Sequence, residues 1–515
     1  MQKVENLFQQ VDSSIRTIFN KLSFSQWAGL IMLIGVFLRT RQYLYNRSLW
    51  LDELMLGINI VEKDFTQLLG VLEYEQMAPI GYLMFSKASV LLFGTGELAL
   101  RFIPMIAGLG SIFFVYKMLK ESGNKLIILL GIFLFVFSFR QSYYSSEVKQ
   151  YSWDVLAVAL AYAYYLPKNY LNGNYGRILL TALLGAFVIW FSHTVIFILL
   201  GLGLYHSILL LKEWDFTKAL KLCLVGIIWV TSFLVHYVGF ISKDPSIEGK
   251  QDVFRKEMAF APFPPSSLGD ISWYNTSIND LFEYSTGIIY AGSFLLIILI
   301  IGVFYWAYMK KDLIWLPLLF PIVFVYLAAI IELYPFAGRL WLFLAPPVIF
   351  LVCSGCQAIK ETSQKRFIPT LIIISLVVPP ILLSFLFLVK PQEEEEVKQV
   401  LAVFKEQYQE GDILFYSYNS SPVIRYYKND FIPETTEVMM SSYEKVGDYY
   451  DRDDLSKFDR DIRELDQLGG RVWMLFSHDF WGEEEYIVSK AKDKATLEGE
   501  KQAKNASIYL FNFDE

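Results

Sequence analysis

Cysteine is scarce in this chain. Three thiols occur in 515 residues, Cys223, Cys353 and Cys356, and all three fall inside apolar runs. They cannot form a disulfide framework, so any soluble part must fold on its own core. Cys353 and Cys356 have the C-x-x-C spacing of redox or zinc sites; in an apolar stretch, however, they read as small residues of a membrane helix. Charge is thin as well. Charged residues make up 19% of the chain, against about 25% in ordinary soluble domains, which argues against a soluble multi-domain enzyme. A basic, small-residue signal peptide is missing too. The polar, amphipathic start MQKVENLFQQVDSSIRTIFNKLSF predicts an uncleaved first anchor instead.

Apolar and aromatic residues fill the space. They reach 54% and 17% of the chain, with a mean hydropathy of +0.38. The charge that remains is unevenly divided. Residues 1–390 carry 30 Lys+Arg against 24 Asp+Glu, whereas residues 391–515 carry 15 against 28. This predicts a mildly basic membrane body over 1–390 and an acidic accessory domain over 391–515, and it speaks against nucleic acid as a partner. A span needs about 20 mostly apolar residues. Eleven segments fit, near 24–40, 98–117, 126–140, 151–166, 178–192, 194–211, 221–241, 287–308, 313–331, 340–359 and 367–389. Short loops rich in Lys and Arg, such as Lys117, Lys120 and Lys125, or Lys360, Lys365 and Arg366, put the N-terminus in the cytoplasm. The odd number of spans then places the C-terminal domain outside the cell membrane.

Two outer segments, about 41–97 and 242–286, are too long for simple connections. In the first, LWLDELMLGINIVEK and PIGYLMFSKASVLLFG each carry an apolar helical face and predict interfacial helices. The second contains APFPPSS, a stop that no helix crosses. In the tail, DILFYSY, TEVMM, RVWMLFSH and ASIYLFNF predict strands, with helices over SPVIRYYKND, LSKFDRDIRELDQL and EEEYIVSKAKD between them. That alternation predicts a small α/β layer. The expected fold class is therefore a mostly α, polytopic membrane helix bundle with a small extracytoplasmic α/β domain.

The most informative stretch is SLWLDE, Ser48–Glu53. An adjacent Asp52–Glu53 pair follows the first span, and ionisable groups close to membrane depth are functional by default. The competing reading is an acidic first turn favoured by the helix dipole. The motifs around the pair carry a family likeness. W-x-D-E (Trp50, Asp52, Glu53) is followed by EYEQMAPIGYLMFSK (Glu73–Lys87), by LFGTGELALRFIPMIAGLGS (Leu92–Ser111) with its Phe93, Gly94, Glu97 and Arg101, by YYSSEVKQY (Tyr143–Tyr151), and by a late Arg339, Phe343, Pro346 element. This ordered set, over about 20–390, resembles the C-type polyprenyl-phosphate-sugar glycosyltransferases, the protein O-mannosyltransferase and aminoarabinose transferase group. Lys149 stands where that group usually has Arg.

The resemblance implies transfer of a sugar from a polyprenyl phosphate to an acceptor hydroxyl on the outer face, with inversion. It assigns Asp52 as general base, with Glu53 orienting it or meeting the acceptor. It assigns Arg339, Lys149, Arg140 and Arg47 to the donor phosphate, where Arg suits bidentate contact; snorkelling is the competing reading for each cation. Glu75, Gln76, Tyr151 and His193 are candidates for substrate or acceptor contact. No cofactor is certain: a divalent metal near Glu75 and His193 is left open, and a buried imidazole on a backbone carbonyl is the more ordinary role for His193. The implied partners are a polyprenyl-phosphate-linked sugar, a glycan, lipid or protein acceptor, and the bilayer. Two other functions compete, a transporter or flippase and a polymerase or ligase of lipid-linked glycans. No internal repeat of the transporter type is visible.

Overall fold

The computed structural model describes residues 22–365, 367–441, 455–479 and 482–514. Most of the N-terminal stretch preceding the first anchor, and Arg366 of the last basic loop, lie outside the described residues. The chain divides into two compact units. One comprises Met1–Tyr45, Asp64–Val71 and Met77–Pro391; the other comprises Asn46–Lys63, Leu72–Gln76 and Gln392–Glu515.

The first unit is helical. Its long elements are α1 (Phe24–Leu44), then, beyond the second unit's α2 (Leu51–Glu62), α3 (Ile80–Phe93), α4 (Glu97–Lys120), α5 (Lys125–Phe137), α6 (Phe139–Tyr144), α7 (Tyr151–Tyr165), α8 (Tyr175–Ile189), α9 (Val195–Lys212), α10 (Phe216–Gly239), α11 (Ser246–Lys256), α12 (Leu268–Thr286), α13 (Gly292–Phe304), α14 (Trp315–Ile330), α15 (Ala345–Thr362) and α16 (Phe367–Val389). All eleven segments read as spans are helical. Six stretches are long and apolar enough to cross a bilayer: 97–120, 195–212, 216–243, 292–309, 338–362 and 367–389. This is the architecture of a polytopic membrane bundle. The APFPPSS stretch separates α11 from α12 without helix, as proline requires.

At the centre of the bundle lies α15. It opens with Pro346 and Pro347 in its first turn, where the missing N–H groups cost nothing. Residues Ala345–Ala358 of α15 are then buried throughout. Its contact with α13 is made by two glycines. A Cβ on Gly302 would lie 2.0 Å from the Leu351 carbonyl oxygen, and one on Gly355 would lie 1.9 Å from that of Ile298. Small residues let two helix backbones meet directly, and in lipid such packing, with little help from hydrophobicity, holds helices together.

The second unit is an α/β layer. Its strands are β1 (Ile413–Tyr416), β2 (Glu437–Met440), β3 (Arg471–Ser477), β4 (Thr496–Ala503) and β5 (Ala506–Asn512), in the order β2-β1-β3-β5-β4. β1 runs parallel to β2 and β3, while β5 runs antiparallel to β3 and β4. Helices α17 (Val397–Gln407), α18 (Ser421–Phe431), α19 (Asp459–Leu468) and α20 (Glu483–Lys492) complete it. Phe415, Met474, Phe476, Ile487 and Phe511 form one of its cores. The same unit includes α2, the helix that carries Asp52 and Glu53, with α18 packed beside it.

Candidate functional site

Within the second unit, α2 begins at Leu51, so Asp52 and Glu53 occupy its first turn. Carboxylates there are favoured by the free N–H groups and the helix dipole. The two differ in setting. Glu53 is fully buried and faces Arg47, itself buried, at 3.4 Å. Asp52 is only part-buried. The buried charge thus has a buried partner, which is how a core tolerates it.

The helix start has no cap of its own, because Trp50 at the N-cap makes no side-chain hydrogen bond to it. The tail supplies the acceptor. Leu51 N–H donates to Glu395 Oε2 at 3.2 Å, and Glu395 also receives the Ser477 hydroxyl at 2.5 Å. Leu49 N–H donates to the Tyr427 hydroxyl at 2.9 Å, and Lys398 Nζ donates to the Asn46 carbonyl at 2.7 Å. At the far end of α2, Arg425 pairs with Glu62 and with Glu73, the latter at 2.6 Å. Those contacts to Arg425, above all its hydrogen bond, hold the Glu73 carboxyl below its ordinary value. Asn59 adds both halves of an amide clamp: its Oδ1 accepts from Glu73 N–H (2.8 Å) and its Nδ2 donates to the Glu73 carbonyl (3.2 Å). Glu75 and Gln76 follow in the same short turn, with Gln76 Nε2 donating to the Tyr74 carbonyl at 3.2 Å.

Within the first unit, a second group forms where α6, the turn before α7, the end of α12 and the Gly338–Leu344 segment come together. Arg339 stands over the Tyr151 ring, 5.8 Å from its centroid. Tyr144 lies 5.5 Å from Tyr151 and 6.2 Å from Tyr284, ring to ring. Burial, then Glu147, then Tyr284 push the Tyr144 phenol well above its ordinary value, with Arg339 opposing; the phenol therefore keeps its proton. Arg140 pairs with Glu283 and lies over the Tyr284 ring at 4.6 Å. Lys149 is buried in the turn, its N–H donating to the Glu147 carbonyl at 2.7 Å. The group therefore brings Arg339, Tyr151, Lys149 and Arg140 onto adjoining elements, although Arg140 already holds a carboxylate.

Glu147 belongs to the YYSSEVKQY motif but has no role in the sequence reading, and Glu283 and Tyr284 escaped it. Glu283 and Tyr284 lie 143 residues from their partners at Arg140 and Gln141, and no local pattern signals a contact of that range. Asp154 also escaped it. One turn into α7, it is buried against Ser192 and Thr194.

His193 lies elsewhere in the first unit. Its ring is 5.2 Å from His236, which stacks on Trp190 at 4.9 Å. His193 Nε2 has no hydrogen-bond partner among the described residues. A carbonyl-bonded imidazole does occur at His206, whose Nε2 is 2.6 Å from the Tyr165 carbonyl. Among the described residues no cluster of three or more His, Cys, Asp or Glu is arranged to hold a metal. Glu75 and His193 lie in different units.

Comparison with solved structures places this architecture. ArnT from Cupriavidus metallidurans bound to undecaprenyl phosphate matches 95% of this chain and 98% of its own, with a TM-score of 0.54 at 10% identity. The chain has the fold of ArnT. The same enzyme in its apo state matches 94% of this chain and 98% of its own, at the same TM-score and identity. No protein-family profile matches the sequence, and no curated protein is similar to it by sequence search. At this identity the ArnT likeness fixes architecture rather than chemistry.

Proposed function

We propose that the protein is a multi-pass membrane glycosyltransferase, with a cytoplasmic N-terminus and an extracytoplasmic tail, that moves a sugar from a polyprenyl phosphate to an acceptor hydroxyl. The observation that carries the reading is the fold shared along nearly the whole chain with ArnT, which binds undecaprenyl phosphate. A supporting one is the contrast in burial at the start of α2, where Glu53 is enclosed against Arg47 and Asp52 is only part-buried.

In this reading the acceptor oxygen attacks the anomeric carbon from the face opposite the phosphate. The bond from that carbon to the phosphate oxygen breaks, and polyprenyl phosphate leaves with the electron pair. Asp52 takes the hydroxyl proton, a contribution of about 10²–10⁴-fold. Arg339, with Lys149 and the neutral Tyr144 phenol, meets the charge that develops on the leaving phosphate. Tyr151 supports Arg339 through its ring face. A single base suffices for an inverting displacement, so no covalent sugar–protein intermediate forms. No step is routed through a metal.

Asp52→Asn tests the reading, because it removes the proton-accepting charge while keeping shape. The purified variant should bind donor normally and transfer sugar about a hundred-fold more slowly. Wild-type transfer by this variant would overturn the assignment, and so would lipid translocation without any transfer, which is what a flippase would show.

A further inference from the structure

The helix that carries Asp52 is held by residues more than 300 positions later in the chain. Trp50 gives α2 no cap, and an uncapped first turn leaves its N–H groups without partners. Glu395 fills the gap. It is 1% exposed and its two oxygens divide the work. Oε2 accepts from Leu51 N–H (3.2 Å) and lies 3.3 Å from His478 Nδ1, while Oε1 accepts from the Ser477 hydroxyl (2.5 Å). Ser477 ends β3 and His478 follows it in the left-handed region, φ +59°. The carboxylate is thus anchored to the central strand of the sheet on one side and to the first turn of α2 on the other. The chain leading into that turn is fixed as well, by Tyr427 on Leu49 and by Lys398, whose backbone N–H donates to the Ser48 hydroxyl at 3.1 Å.

We propose that Glu395 is a positioning residue for the transfer reaction: through the Leu51 N–H it fixes the start of α2, and with it the direction in which the adjoining Asp52 carboxylate points. The inference rests on the reading of Asp52 as the base. A general base must sit within hydrogen-bond reach of the proton it removes, and a displacement of about 1 Å can cost about a hundred-fold in rate. Glu395 is too fully enclosed to meet a substrate, so its effect passes through the helix. The accessory domain thereby becomes part of the catalytic apparatus without contributing a group that touches the sugar.

The test is a double-mutant cycle on the full-length protein in detergent, reading kcat at saturating donor, KM for the donor, and Tm. Glu395→Ala should lower kcat about tenfold or more with donor KM within about twofold. Glu395→Gln, which keeps one acceptor oxygen, should recover part of the loss. In an Asp52→Asn background, Glu395→Ala should change the residual rate by less than about twofold, because there is no longer a base to aim. Tyr427→Phe, which deletes one hydroxyl from the same clamp and keeps the ring, should show the same pattern more weakly and covers the case in which Glu395→Ala does not fold. Equal losses in both backgrounds, or a kcat loss that merely follows the folded fraction, would overturn the inference alone. A fully active Asp52→Asn would overturn the reading beneath it.

Discussion

At the residue scale, two neighbours with one chemistry are separated by burial. Glu53 has Arg47 at 3.4 Å inside the fold, and breaking such a buried pair from one side costs about 3–5 kcal/mol. Glu53→Gln should therefore show itself first as a lower Tm, with transfer per folded molecule staying above that of Asp52→Asn; calorimetry and a transfer assay on the same preparation separate the two. In the proposed function Arg339 is the corresponding residue for the donor. The Tyr151 face lies beneath it and Tyr144 beside it, and in that reading it would meet phosphate with a planar fork that Lys lacks. Arg339→Ala should lower kcat/KM at limiting donor by about 10²-fold, and Arg339→Lys should restore only part. Normal turnover by Arg339→Ala would remove Arg339 from the donor site.

At the element scale, the contact between α13 and α15 is set by Gly302 and Gly355, each facing a carbonyl oxygen about two ångströms from where a Cβ would stand. A backbone oxygen cannot rotate away as a side chain would. Gly302→Ala should thus cost about 2 kcal/mol or more by forcing the helices apart, read as a loss of Tm in detergent. The far end of α2 should respond to acid instead. Glu73 is held below its ordinary value by Arg425, so its contribution is complete above the unfolded carboxyl value of about 4.3 and is lost as pH falls through the lower, folded one. The Tm difference between wild type and Glu73→Gln should accordingly be constant near neutrality and shrink below about pH 4.3. Much of this level was legible in the sequence. The four predicted strands correspond to β1, β2, β3 and β5, because each is an apolar run bounded by polar residues. β4 was not legible: it lies at the sheet edge and carries Glu498, Glu500 and Lys501 along a mostly exposed run, and such charge protects an edge while hiding the strand pattern. The Asp52–Glu53 helix was readable from its motif. Its cap was not, since an acidic run such as Glu393–Glu396 gives no sign of which member turns inward.

At the scale of the whole molecule, the proposed orientation rests on the short loops rich in Lys and Arg in the sequence. In a Cys223→Ser background, Lys501→Cys, on an exposed position of β4, should react with an impermeant maleimide added to intact cells, and Lys125→Cys should react only after permeabilisation. The reverse pattern would invert the topology. One property of the second unit also bears on the order in which the molecule is made. Leu51 leaves the ribosome 344 residues before Glu395, and at about 5–20 residues per second that is an interval of roughly 20–70 s. During that time the membrane helices are inserting while α2 has neither its cap nor its Arg425 anchor. A nascent chain arrested short of residue 395 would already contain the Asp52 motif and every helix of the bundle, yet the motif would be unaimed. Competence to transfer would then arrive late and in one step, as the final quarter of the chain is translated.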